Sequence, residues 1–195
     1  MSLREEILEV SKELLLKHGF SKMSMRKIAR KADVTATSIY LHFKNKDDLL
    51  LALVEESIAN LTKVLRDALD EVASPVEQLE SLADAYVGYA LDNPQEYEII
   101  YMVRPEEMPK YPKEKFQHIR QIYELLAGII QRGKDQQLFD VEDPLVSAYT
   151  LWAQIHGVVS VILGKRLDTR ISNERFLDLA KDHIIQGFII QKTPA

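Results

Sequence analysis

The sequence predicts an all-α protein of about nine helices. Apolar residues recur three or four positions apart along most of the chain, and capping residues or prolines stand where each run begins. No segment alternates between apolar and polar residues as a strand would. The pattern divides into a three-helix N-terminal head and a longer helical body. We therefore expect a head domain over residues 1–46 and a body domain over residues 47–195.

The head begins with one amphipathic helix. Its apolar stripe ends at Gly19, a residue type that commonly follows the C-terminus of a helix. Ser24 and Thr35 can each cap a further short helix, and Asp33 stands where the chain must turn between them. Two short helices joined by a tight turn predict a helix-turn-helix whose second helix, over residues 35–42, enters the major groove of DNA.

Charge supports this interpretation. Residues 1–46 hold ten Lys or Arg against five Asp or Glu, a net of +5, whereas the remaining 149 residues hold fifteen against twenty-five, a net of −10. A basic head on an acidic body is typical of a chain that touches nucleic acid with one end. Taken alone, the charge pattern is explained equally well by a solvated surface, and the helix-turn-helix beside it favours contact with nucleic acid.

The body is predicted to be helical throughout. Asn45 is expected to cap a long helix over 46–73, with Asp48 three residues on as in a capping box. Ser74-Pro75, Asn93-Pro94 and Asp143-Pro144 mark further helix starts. The expected helices run over 75–92, 94–103, 113–136, 144–164 and 173–191, the last capped by Asn173, with a proline-rich loop at 104–112.

The segment Ser-Ile-Tyr-Leu-His-Phe-Lys-Asn-Lys-Asp-Asp-Leu at 38–49 resembles the signature of the TetR family of transcriptional regulators. The segment Ile-Ala-Arg-Lys-Ala-Asp-Val at 28–34 resembles the family's first DNA-binding helix and turn, with Asp33 where the family usually has Gly. The resemblance implies a homodimer that binds a palindromic operator through two heads and releases it when a small molecule binds the body.

The resemblance also implies the residues that touch DNA. Arg26 matches a family Arg that reads a guanine, and Thr37 and Leu41 lie one turn apart on the expected recognition helix, with Ala36 at its start. The expected phosphate contacts are Tyr40, His42, Lys46 and the hydroxyls of Ser24, Thr35 and Ser38.

In the body, Trp152-Ala-Gln-Ile-His156-Gly157 resembles the element that names the Trp-His-Gly type of C-terminal domain in this family. Aromatic residues on helices that surround the family's cavity are expected to bind an apolar or amphipathic effector. For any one of these residues ordinary packing is the better explanation, whereas the set as a whole favours a cavity. The expected effector-binding residues are Tyr86, Tyr89, Tyr97, Tyr101, Met102, Phe116, Tyr123, Trp152 and His156.

The last two helices are apolar over a wide arc, which predicts burial on two sides. In the family these helices form a four-helix interface between two copies. A central position in a monomer is the alternative. The expected interface residues are Tyr149, Val158, Val161, Ile185 and Phe188.

Several functional classes find no support in the sequence. There is no cysteine, no phosphate-binding loop and no His-Glu-x-x-His helix, and the five histidines are scattered. We therefore expect no enzyme activity, no cofactor and no metal. We expect no secretory signal and no membrane span, because Gln154 and His156 interrupt the longest apolar stretch, so a cytoplasmic location follows. The alternatives are a hydrophobic-ligand-binding enzyme or carrier with a relic helix-turn-helix, and an all-helical adaptor.

Overall fold

A computed structural model describes residues 2–102 and 117–190, and within these ranges it contains nine α-helices and one 3-10 turn. The all-α prediction is confirmed. The chain forms two compact units, Met1–Asn60 with Pro94–Phe116, and Leu61–Asn93 with Gln117–Ala195. The helices are α1 Leu3–His18, α2 Met25–Lys31, α3 Ala36–Tyr40, α4 Lys46–Asp67, α5 Pro75–Asp92, α6 Pro94–Met102, α7 Gln117–Asp135, α8 Pro144–Leu163 and α9 Asn173–Gln186.

Side-chain caps define the helices of the head. The Ser24 hydroxyl accepts the Lys27 backbone N–H at 3.3 Å, and the Thr35 hydroxyl accepts the Ser38 backbone N–H at 3.1 Å. Asn45 accepts the Asp48 N–H at 2.8 Å, while the Asp48 carboxylate accepts from Lys44 rather than from Asn45. The three predicted caps are confirmed. The capping box at α4 differs from the expected one because the Asp48 carboxylate accepts the N–H of Lys44, the residue before the cap.

The helix-turn-helix packs on a small apolar core. α2 contacts α1 and α3, so the three elements support one another. Gly19 follows α1 and Asp33 stands in the turn after α2, and both have positive φ, +75° and +53°. The core side chains are Ile7, Leu8, Leu15, Phe20, Met25, Ile28, Ile39, Phe43 and Leu49, each at most 7% exposed.

Helix α4 ends at Asp67, six residues before the expected end. The Asp70 carboxylate accepts the Val72 backbone N–H, a local turn that competes with helical hydrogen bonding. The Asp70 carbonyl is also taken by the buried amide of Gln78 at 2.7 Å, and Arg132 donates to the other end of that amide at 2.6 Å. These bonds fix the connection into α5, which begins with the predicted Ser74 cap and Pro75.

In the second unit α8 packs on α5, α7 and α9. Gly133 near the end of α7 lies against the buried Phe139 ring, and a Cβ at Gly133 would stand 2.1 Å from that ring. The close approach therefore requires glycine. Helix α6 is described as far as Met102, and its expected last residue, Val103, and the expected loop at 104–112 lie outside the described residues.

The last helix ends before the predicted residue, and its cap lies one residue earlier than predicted. Ser172, rather than Asn173, is its cap and accepts the Arg175 backbone N–H at 3.2 Å. Gly187 follows Gln186, and the chain then pairs with the segment after α7, where Asp140 donates to the Phe188 carbonyl. The predicted continuation to residue 191 is wrong because this pairing draws the backbone out of the helix.

The left-handed turn at Asp33 gives a direct test of the head. Asp33→Gly should raise the free energy of unfolding by up to about 1 kcal/mol, because glycine adopts positive φ without a Cβ clash. Asp33→Ala should lower it by about 1 kcal/mol, because alanine lacks the tolerance that Asp has for this region. Urea denaturation followed by circular dichroism measures both. Equal stability of the two variants would mean that the turn carries no backbone strain.

Candidate functional site

The exposed surface of the helix-turn-helix is built around α3. The side chain of Tyr40 is 54% exposed and that of Leu41 is 82% exposed. Ile39, on the face of α3 that packs on the core, is fully buried. α3 ends at Tyr40, so Leu41 and His42 follow the helix rather than lie in it. The Leu41 N–H still donates to the Thr37 carbonyl at 3.2 Å, which keeps these two residues one turn apart as predicted.

The hydroxyls of Ser24, Thr35 and Ser38, which are expected to contact phosphates, form hydrogen-bonded contacts within the protein itself. Ser24 and Thr35 cap α2 and α3, and the Ser38 hydroxyl lies 2.8 Å from that of Thr35. They mark the N-termini of the two helices, where backbone N–H groups point outward. Their contact with DNA stays a prediction.

The predicted cations differ in their surroundings. Arg26 and His42 are exposed. The Lys46 ammonium donates to the Phe20 carbonyl at 3.0 Å and lies 3.9 Å from the centre of the Phe20 ring. Lys46 therefore fastens α4 to the turn before α2 in the free protein, in addition to any role at DNA.

Other cations of the head are also held by the protein. Lys31 pairs with Glu13, and the Arg4 guanidinium lies 5.3 Å from the centre of the Phe43 ring. The exposed basic residues Arg26, Lys27 and Arg30 lie on α2. Lys17, Lys22 and Lys44 are also exposed.

Helix α6 is joined to the head by Glu96. Its carboxylate accepts from Lys12 of α1 at 3.0 Å and from the amide of Asn60 of α4 at 3.2 and 3.3 Å. The Lys12 and Glu96 side chains are only 19% and 15% exposed, so solvent screens this pair weakly. Nearby, burial and then the charge of Glu9 raise the pKa of Glu56.

In the second unit, aromatic rings from α5, α7 and α8 form a continuous cluster. Trp152 stacks on His156 at 5.0 Å between ring centres, and Tyr123 meets Trp152 edge-on at 5.7 Å. The Tyr86 hydroxyl lies 3.4 Å from His156 Nδ1, and burial lowers the pKa of His156. We call Tyr86, Tyr123, Trp152 and His156 the aromatic cluster. It can present flat apolar faces and a neutral imidazole to a ligand.

The remaining expected effector residues are placed separately. Tyr89 is 7% exposed on α5, and Tyr97 on α6 is 5% exposed with its ring 4.9 Å from that of Tyr101. Burial raises the pKa of Tyr97, which therefore stays a neutral hydroxyl. Phe116 lies outside the described residues, and the side chain of Met102 is also outside them.

The expected dimer residues fall into two groups. Val158 and Val161 are half-buried, and Tyr149 is 46% exposed, although its ring stacks on Tyr123 at 3.8 Å. Ile185 and Phe188 are 3% and 8% exposed in the single chain. The chain itself already covers them where α9 packs on α5 and α8, and their place in a dimer interface stays a prediction. Three exposed apolar residues on these helices, Leu145, Val146 and Leu179, lie outside the expected interface set.

Helix α8 corrects the expectation about membrane length. Pro144–Leu163 contains no charged residue and is long and apolar enough to cross a membrane by length and composition, with a mean hydropathy of 1.4 in its most apolar window. Gln154 and His156 lie within this helix, but they do not lower its mean hydropathy below that of a possible membrane span. One such helix is weak evidence for a span, since α8 also packs on three helices of its own unit.

No group of three or more His, Asp or Glu side chains that could hold a metal occurs in the part of the chain that the structure describes. The head is a DNA-binding helix-turn-helix and the body is an all-helical unit with an aromatic cluster. Together they define a helix-turn-helix transcriptional regulator.

The comparisons with known proteins give the family. The family described as "Bacterial regulatory proteins, tetR family" matches residues 7–53, and the one described as "Tetracyclin repressor-like, C-terminal domain" matches residues 79–184. The chain therefore belongs to the TetR family of bacterial transcriptional regulators. The Trp-His-Gly type of body stays a prediction.

Solved structures share the whole fold. A protein of unknown function from Rhodococcus sp. RHA1 is 25% identical, with 97% of each chain covered and a TM-score of 0.82. The fatty acid degradation regulator FadR from Bacillus halodurans is 18% identical over 93% of this chain and 94% of its own, with a TM-score of 0.77. AibR, solved with isovaleryl coenzyme A and operator DNA, is 21% identical over 96% of this chain and 100% of its own, with a TM-score of 0.74.

The depressed pKa of His156 predicts a pH dependence of stability. The folded-state pKa lies below the unfolded value of 6.5, so in the window between the two the unfolded chain binds more protons and stability rises with pH. Acidification from pH 7 to pH 5 should therefore destabilise the wild type more than His156→Gln. Urea midpoints at the two pH values measure the difference. An equal loss in both proteins would show that His156 titrates normally.

Proposed function

We propose that this regulator is a homodimeric repressor that leaves its operator when a small apolar or amphipathic effector binds the body. The observation that carries the proposal is the surface around α3. Short capped helices present Arg26, Thr37 and Leu41 outward while Ile28 and Ile39 anchor them to the core. DNA is the partner that this surface fits, and the cytoplasm is where a bacterial protein meets it.

Leu41 gives this surface a chemical identity. Leu41 is 82% exposed, so its apolar side chain can contact a partner without any change in the core. In the major groove, apolar side chains contact the methyl group of thymine, and Arg forms two hydrogen bonds with guanine. We assign Leu41 to a thymine and Arg26 to a guanine, with Ala36 and Thr37 beside them. Tyr40, His42 and the hydroxyls of Ser24, Thr35 and Ser38 are assigned to phosphates.

Within the second unit, effector binding is assigned to the aromatic cluster with Tyr89. Within the first unit, it is assigned separately to Tyr97 and Tyr101 of α6. Because Glu96 of α6 bonds to Lys12 and Asn60, a displacement of α6 by a ligand would act directly on α1 and α4. This link supplies a physical route from ligand to head. It favours a ligand-responsive regulator over an enzyme or carrier with a relic helix-turn-helix, for which no such link is needed. We infer that the protein has no enzymatic activity.

The proposed dimer seam is formed by the exposed apolar side chains of α8 and α9. Leu145, Val146 and Leu179 are 48%, 58% and 53% exposed, and Val158 and Val161 are half-buried beside them. Exposed apolar residues gathered on two neighbouring helices are typical of a surface that a partner covers. A second copy fits because one head reads too few base pairs for specificity, and a two-fold axis would present two heads to a palindrome.

Loss of base reading is the first test. Arg26→Ala should weaken binding to an operator recovered by in vitro selection by roughly 1–3 kcal/mol and relax the preference at one base pair. Fluorescence anisotropy with the four base variants at each position measures both effects. Arg66→Ala, an exposed arginine near the end of α4, is the matched control and should bind like the wild type. An equal loss on all sequences would move Arg26 to the phosphate contacts.

Loss of the dimer is the second test. Leu179→Glu should give a monomer near 22.4 kDa that keeps its helices and loses operator binding, because two carboxylates would be buried at one seam. Val72→Glu, at an apolar residue that is 92% exposed in the turn after α4, is the control. Light scattering at low micromolar concentration measures mass. A wild type that is itself monomeric would contradict the proposal.

A further inference from the structure

A groove lined by cations lies on the flank of the head, between the C-terminal half of α1, the 3-10 turn at Phe20–Lys22 and α2. Its floor contains the half-buried Leu14, and its walls are cationic or titratable. We call it the flank groove. It is lined by Leu14, His18, Lys22, Lys27, Arg30 and Lys31.

The helical geometry of α2 produces this arrangement. Met25, Ile28 and Ala29 face the core, so positions 27, 30 and 31 must share the outward arc. The Lys27 ammonium donates to the Lys22 carbonyl at 2.9 Å, which holds a charge of α2 beside the 3-10 turn. Lys31 pairs with Glu13 at the rim. Four cations and one contacting carboxylate therefore meet in one groove.

Such a concentration of like charge opposes folding unless something neutralises it. Lys22, Lys27 and Arg30 have neither an acidic partner in the described contacts nor a buried position that packing would explain. A groove with one sign of charge attracts and holds counter-ions, and a polyanion gains most from several cations at once. Duplex DNA offers one negative charge per about 1.7 Å of its axis.

We propose that the flank groove binds the phosphate backbone of DNA beyond the base pairs that α3 reads. The inference rests on the proposed function and extends it. Arg26 and Lys27 are neighbours on α2, and Arg30 is one turn from Arg26, so the groove is continuous with the surface assigned to base reading. The cations spread over about 6 Å of helix rise and the adjacent turn, which suits successive phosphates better than one small anion.

If the flank groove binds phosphates, part of the affinity of the protein for DNA does not depend on the base sequence. Contacts to phosphates position the head and carry no base information. Each phosphate neutralised releases counter-ions and steepens the dependence of log affinity on log salt by about 0.9. The flank groove should therefore contribute equally to binding of operator and of unrelated duplex.

The test uses the full-length protein with two probes, a selected operator and a 30-bp duplex of random sequence. The variant carries Lys22→Gln and Arg30→Gln, two changes that leave the Lys31–Glu13 pair and the Lys27 hydrogen bond in place. Affinity is measured by anisotropy between about 50 and 200 mM NaCl. The control carries Lys63→Gln and Arg66→Gln, the same charge change at exposed positions of α4.

The groove variant should show a salt slope that is shallower by about 1.8 on both probes, with unchanged preference among operator sequences. The control should match the wild type. A groove variant with the wild-type slope on both probes would overturn the proposal. A wild type that binds both probes equally would refute the proposed function instead.

Discussion

The DNA-reading surface depends on the burial of a few apolar side chains beneath two helices that could not exist alone. α2 has seven residues and α3 has five, well below the length at which a helix is stable in water. Each persists because a hydroxyl caps its first turn and because Ile28 or Ile39, both fully buried, fixes it to the core of the head. The exposed residues at 26, 37 and 41, which are proposed to contact DNA, are thereby held in place by buried neighbours.

The same unit that holds the head also includes α6. Glu96 accepts hydrogen bonds from Lys12 and Asn60, so three helices meet at one weakly screened carboxylate. Tyr97 follows Glu96 directly and is buried. Helix α6 therefore carries both a residue assigned to the effector and a hydrogen-bonded contact with α1 and α4. A displacement of α6 by the effector would displace these contacts as well. The flank groove adds a different contribution, since it would strengthen the grip on DNA without altering what is read.

Sequence reasoning found the elements whose signal is local. Caps at Ser24, Thr35 and Ser74 and the left-handed turn at Asp33 are determined by neighbouring residues, and the structure confirms them. It failed where distant residues decide. α4 ends early because Gln78 takes the Asp70 carbonyl, and α9 ends early because residue 188 pairs with residue 140. Ile185 is buried within the single chain, and a helical stripe does not say which apolar face the chain itself covers. The contacts of Glu96 reach across 36 and 84 positions of the sequence, so no local sequence pattern indicates them.

The shortness of α3 separates stability from recognition. Ile39 is its one fully buried side chain, whereas Thr37, Tyr40 and the following Leu41 project into solvent. Substitutions at exposed positions usually change stability by less than about 0.5 kcal/mol. Gene duplicates of such a regulator can therefore explore new operator sequences through two or three codons while the scaffold is inherited intact. Because the recognition helix is this short, regulatory networks can diverge with little loss of stability of the fold.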